Sequence, residues 1–106
     1  GATAADTAKS IQQILDYDEI IKDYESVIYM NPGFYFAWFN MANTKVKKRD
    51  YINAIDDYSK AIELEPDFAE AYFNRGLTRI FLDDLDGVGR HRLGERRPAA
   101  AGDRDL

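Results

Sequence analysis

The chain is similar to itself at an offset of 34 residues. Shifted by that amount, Asp16 falls on Asp50, Tyr17 on Tyr51, Ile21 on Ile55, Asp23 on Asp57, Tyr24 on Tyr58, Ile28 on Ile62, Pro32 on Pro66 and Phe34 on Phe68. The next shift pairs Ala37-Trp38-Phe39-Asn40 with Ala71-Tyr72-Phe73-Asn74, and Thr44 with Thr78. A period of this length is the signature of stacked supersecondary units, each unable to bury its apolar face alone. It organises the whole chain, and with the helical pattern of each unit it predicts a solenoid.

The pattern inside each unit is helical. Tyr51, Ala54, Ile55, Tyr58, Ala61 and Ile62 recur at three- and four-residue steps and form one helix face; Tyr17, Ile20, Ile21, Tyr24, Val27 and Ile28 repeat those steps. Asn31-Pro32-Gly33 and Glu65-Pro66-Asp67 end these helices, because proline cannot continue the hydrogen-bond ladder. The other helix of the unit is expected from about Phe34 to Lys48 and again from about Phe68 to Leu82. Lys48-Arg49-Asp50 and Asp83-Asp84 are read as the short turns that make the paired helices antiparallel. The reading is all-α, with helical hairpins near residues 5–31 and 34–64 and a partial one from 68.

These features resemble the tetratricopeptide repeat, a unit of 34 residues with two antiparallel helices. Trp38, Met41, Ala42, Ala54, Tyr58, Ala61 and Pro66 stand where the family places its aromatic, Leu, Gly, Ala, Phe, Ala and Pro. Lys45 departs from the usual Tyr. The third unit keeps Tyr72 and Gly76 but has Arg75 for Leu and Arg79 for Tyr. The first matches only from Asp16 to Pro32, with Ala4, Thr7 and Ala8 ahead of it where bulk or glycine is usual. The resemblance implies a repeat domain over residues 1–86, with units at about 1–34, 35–68 and a partial 69–86, stacked as an α-α superhelix. Ala42, Gly76, Ala54 and Ala61 are read as points of close helix approach, and Trp38 and Tyr58 as fillers between units.

Residues 87–106 do not fit. Extending the helix template to Arg92, Glu95 and Arg96 puts charge where apolar residues are required. Gly, Ala, Arg and Pro make up 13 of these 20 residues, and the segment has five bases against three acids, where residues 1–86 have nine against sixteen. Three readings stay open: a divergent end or linker; a basic arm for nucleic acid on Arg90, Arg92, Arg96 and Arg97, disfavoured because no aromatic is present for base stacking; and translation out of frame.

A search for chemistry is negative. There is no cysteine, and the single histidine, His91, sits in the anomalous tail. Ser10, Ser26 and Ser59 are in no nucleophile-elbow sequence, and no glycine-rich phosphate loop is present. Asp56-Asp57 and Asp83-Asp84 read as a solvated helix face and a polar turn. The expectation is a noncatalytic protein with no cofactor and no metal. Net charge is −5, which does not invite nucleic acid, and no apolar run is long enough for membrane insertion. No signal-peptide pattern is visible in GATAADTAKS, which favours the cytoplasm; a leader already removed stays open, and the compartment is left unknown.

The resemblance implies a concave groove, lined by the first helix of each unit, that holds a partner's peptide. The corresponding residues are Phe36, Phe39, Asn40, Asn43 and Lys47, then Glu70, Phe73, Asn74 and Leu77. The aromatics are read as anchors and the asparagines as hydrogen-bonding groups for an extended backbone. Asn43 and Asn74 are in a register similar to the asparagines of a carboxylate clamp for chaperone tails. Phe39 stands in place of that clamp's first lysine, which argues against such a partner. The alternative is a structural fragment of a longer solenoid that contacts neighbouring repeats or another copy. Self-association is expected, because the helix carrying Tyr72, Phe73, Leu77, Ile80, Phe81 and Leu82 has no proper second helix after it; either the tail folds back through Val88 and Leu93 or another copy covers the patch.

Overall fold

The computed structural model describes residues 3–88. Four helices follow one another: α1 (Ala4–Met30), α2 (Tyr35–Lys47), α3 (Tyr51–Leu64) and α4 (Ala69–Val88). Among the described residues there is no strand, and no helix is long and apolar enough to cross a membrane. Each helix packs on the next, and α2 also touches α4. The tail readings on Arg90 to Arg97, and the fold-back through Leu93, lie outside the described residues.

The α2–α3 hairpin is the expected one. Its reversal uses Arg49 at φ 67°, the left-handed conformation that usually falls to glycine. The Arg49 amide donates to the Val46 carbonyl at 2.9 Å and the Asp50 amide to the Lys45 carbonyl at 2.9 Å, so the last carbonyls of α2 are satisfied. At the end of α3 the Glu65 amide still reaches the Ala61 carbonyl before Pro66 stops the helix. The core sits in this hairpin. Phe39 and Ala42 of α2 are buried with Ala54, Tyr58 and Ala61 of α3 and with Ala71 of α4. The three alanines of α2 and α3 have no exposed surface, as close helix approach requires.

Two expected turns are not made. The hairpin near 5–31 is a single uninterrupted helix. Its start is sealed by a capping box, in which the Asp6 amide donates to Thr3 Oγ1 and the Thr3 amide to the Asp6 carboxylate. Between Ala4 and Met30 there is no glycine or proline. The position equivalent to Arg49 is Leu15, and a left-handed leucine is costly. Asp83-Asp84 likewise lies inside α4. A reversal gives up backbone hydrogen bonds, and packing of the second helix on the first must offset them. At Arg49 the buried α2–α3 contact does so; at Asp83 no matching helix pattern follows.

Asp57 also corrects the reading of Asp56-Asp57 as one solvated face. Asp56 is exposed and Asp57 is buried. The ammonium of Lys45 lies 2.7 Å from Asp57 Oδ2, so an ion pair links α2 and α3. Burial raises the Asp57 carboxyl above its ordinary value, and the Lys45 pairing opposes that rise. A second pair, Lys48 to Asp18 at 2.6 Å, ties the end of α2 to α1 near the surface, and this hydrogen bond raises the Lys48 pKa.

Candidate peptide groove

The register of α2 against α4 sets the site. Asn43 of α2 and Asn74 of α4 are 31 residues apart in sequence, yet Asn74 Nδ2 donates to Asn43 Oδ1 at 3.0 Å. The phenol of Tyr58, on α3, donates to the same oxygen from below. Burial raises the Tyr58 pKa, so the ring stays a neutral hydrogen-bond donor at physiological pH. Thr78 Oγ1 turns back to the Asn74 carbonyl at 2.7 Å, within α4.

These groups form the floor of a groove of about 320 Å³. Val46 and Lys47 of α2 and Leu77 and Phe81 of α4 make its walls. With Asn43 Oδ1 occupied twice, the Asn43 amide nitrogen and the Asn74 amide oxygen have no other partner among the described residues. One donor and one acceptor thus remain side by side, matching the carbonyl and amide of an extended backbone. The apolar walls can seat a side chain, and the exposed Lys47 adds one positive charge at the rim.

Four of the nine residues expected at the site line this groove: Asn43, Lys47, Asn74 and Leu77. Asn40 is half-buried on α2, and Phe36, Glu70 and Phe73 are exposed outside the groove. Phe39 is not on the surface. It is 6% exposed, with its ring centroid 4.6 Å from Phe68 and 5.9 Å from Tyr58, so it is a core residue of the α2–α3 hairpin. Val46, Tyr58, Thr78 and Phe81 belong to the groove and were not among the expected residues. Helical spacing was the available signal, since Val46 is three residues from Asn43 and Phe81 four from Leu77.

A family model described as TPR repeat matches residues 42–79, which span the end of α2, all of α3 and the first half of α4. Comparison with curated proteins finds no match.

Proposed function

We propose that this protein is a noncatalytic module that holds a partner's extended peptide between α2 and α4, a reading supported by the match of residues 42–79 to the TPR repeat, whose repeats are in general protein–protein interaction modules. The observation that carries the reading is the Asn43–Asn74 hydrogen bond over Tyr58, which presents one amide donor and one amide acceptor in an apolar-walled groove. The fitting ligand pairs its main chain with these amides and sets an apolar side chain against Leu77 and Phe81. Lys47 favours an acidic group beside that side chain. A lone ammonium is not a carboxylate clamp, so a chaperone tail remains a poor fit.

The test is a peptide array probed with the parent and with Leu77→Glu, Lys47→Glu and Asp56→Ala. Leu77, Lys47 and Asp56 are all exposed, so the substitutions leave the core intact. The two groove variants are expected to lose the bound peptides, by about tenfold or more, because a charge then faces the apolar anchor or the acidic group. Asp56→Ala is expected to bind as the parent does. Retention of the same peptides by both groove variants would overturn the assignment.

A further inference from the structure

The two ends of the described chain are unfinished in opposite ways. At one end, α1 from Asp16 onward is the equivalent of α3 but has no α2-like helix before it. At the other, α4 is the equivalent of α2, and among the described residues no α3-like helix follows it. The intact α2–α3 hairpin shows, by the 34-residue offset, which surface each end lacks. On α2 the contact is made by Phe39, Ala42 and Val46, whose equivalents on α4 are Phe73, Gly76 and Ile80. Phe39 is 6% exposed, whereas Phe73 is 67% and Ile80 56% exposed. On α3 the contact is made by Ala54, Tyr58 and Ala61, whose equivalents on α1 are Ile20, Tyr24 and Val27. Ala54 and Ala61 are fully buried, while Ile20 and Val27 are exposed.

We propose that copies of this chain join end to end, the Phe73–Gly76–Ile80 face of α4 in one copy packing on the Ile20–Tyr24–Val27 face of α1 in the next, as α2 packs on α3.

Two features single out a second copy as the occupant. The first is volume. Where Ala42 meets two alanines, the joint sets Gly76 against Ile20 and Val27. A side chain removed on α4 makes room for the larger ones on α1, and a Cβ placed on Gly76 meets nothing within 4 Å, so the space is open. The second is charge. The buried Lys45–Asp57 pair of the hairpin maps onto Arg79 of α4 and Asp23 of α1. Cation and anion recur at equivalent positions on the two unfinished ends, and both are exposed in the single chain. The joint is heterologous, since each copy contributes a different face. It therefore leaves one free end of each kind and adds copies without closing.

The test is light scattering behind size exclusion, on the full chain loaded from about 1 to about 300 µM, a range that covers the affinities of small interfaces. The parent's mass is expected to rise with concentration past that of a dimer. Arg79→Glu and Asp23→Arg should each reduce association by about tenfold or more, because each sets like charges together in the joint. In an equimolar mixture of the two variants every joint between unlike copies pairs opposite charges, native in one direction and exchanged in the other, so the mass should again rise past that of a dimer with the copies alternating. The double variant restores opposite charges in every joint and should assemble like the parent. A parent that stays monomeric throughout, as it would with the tail covering α4, overturns the proposal. So does a closed dimer indifferent to Arg79 and Asp23, or a double variant as impaired as the singles.

Discussion

Lys45 and Asp57 offer a sharp test of how the hairpin is held. Their charged atoms are 2.7 Å apart, and their side chains are 16% and 9% exposed. At that separation the gross attraction is about 6 kcal/mol for an effective dielectric near 20. Desolvation of the two ions removes several kcal/mol of it, leaving a coupling of about 2–3 kcal/mol. The two single changes are not equivalent. Lys45→Met strands a carboxylate inside the hairpin and should cost about 3 kcal/mol. Asp57→Ala leaves an ammonium on a flexible stem that can swing to water, and should cost about 1–2 kcal/mol. The double variant should cost about 1–2 kcal/mol, well short of the sum.

The pH dependence gives the sign. The folded Asp57 carboxyl binds its proton more tightly than the unfolded one, whose ordinary value is 3.8. Between those two values the native state holds more protons, so stability falls as pH rises through the window and recovers as pH falls. Removing Lys45 removes the influence that opposes the rise, which widens the window upward. The gap between Lys45→Met and the double variant should therefore narrow as pH falls toward the ordinary carboxylate value. Urea unfolding, followed by helical circular dichroism and the fluorescence of Trp38, measures all four proteins. Additive single costs, or a gap that widens on acidification, would refute the pairing as the organising contact.

Three further outcomes are expected. Ala54→Leu and Ala61→Leu should each destabilise by about 1–3 kcal/mol in thermal melts, since both sites are fully buried, while Asp56→Ala changes stability by less than about 0.5 kcal/mol. Arg49→Gly should stabilise by about 1 kcal/mol, because glycine adopts φ 67° without the strain of a side chain. Leu15→Pro should remove helical ellipticity from the first turns of α1, as a continuous helix demands; an unchanged spectrum would restore a turn at that position.

What was legible in the sequence was periodicity with its punctuation. Pro32 and Pro66 mark the ends of α1 and α3, and the apolar steps from Tyr51 to Ile62 identify the α3 face that the core uses. The missing turns were not legible from homologous spacing. Asp16 and Asp84 match Asp50, but the reversal depends on the backbone of Arg49 and on the packing that follows it. Its helical position points Phe39 to the groove in the sequence, yet Phe68, from the segment after α3, folds over it. Adjacency makes Asp56 and Asp57 read as one face, although one residue turns a helix by about 100° and separates a core face from a solvent face. The sequence did hold a clue to that pair, since Lys45 stands where the family's aromatic is usual.

The groove and the unfinished ends are related by the same repeat. Inside one chain the groove lies where α2 meets α4, with Asn43 against Asn74. In an end-to-end joint, α4 of one copy lies beside α2 of the next, and the offset sets Leu77 against Asn40. Asn40 is half-buried and does not line the single-chain groove, but in the joint it meets the wall residue Leu77. The polar floor of one groove would then continue into a more apolar one across the joint, without any new turn in the chain. A peptide spanning both grooves favours the joined state over the separated one, and joining copies raises the affinity for such a peptide by the same factor. The exposed faces of α1 and α4, costly in a single chain, are on this view what lets a short repeat array present a longer binding surface.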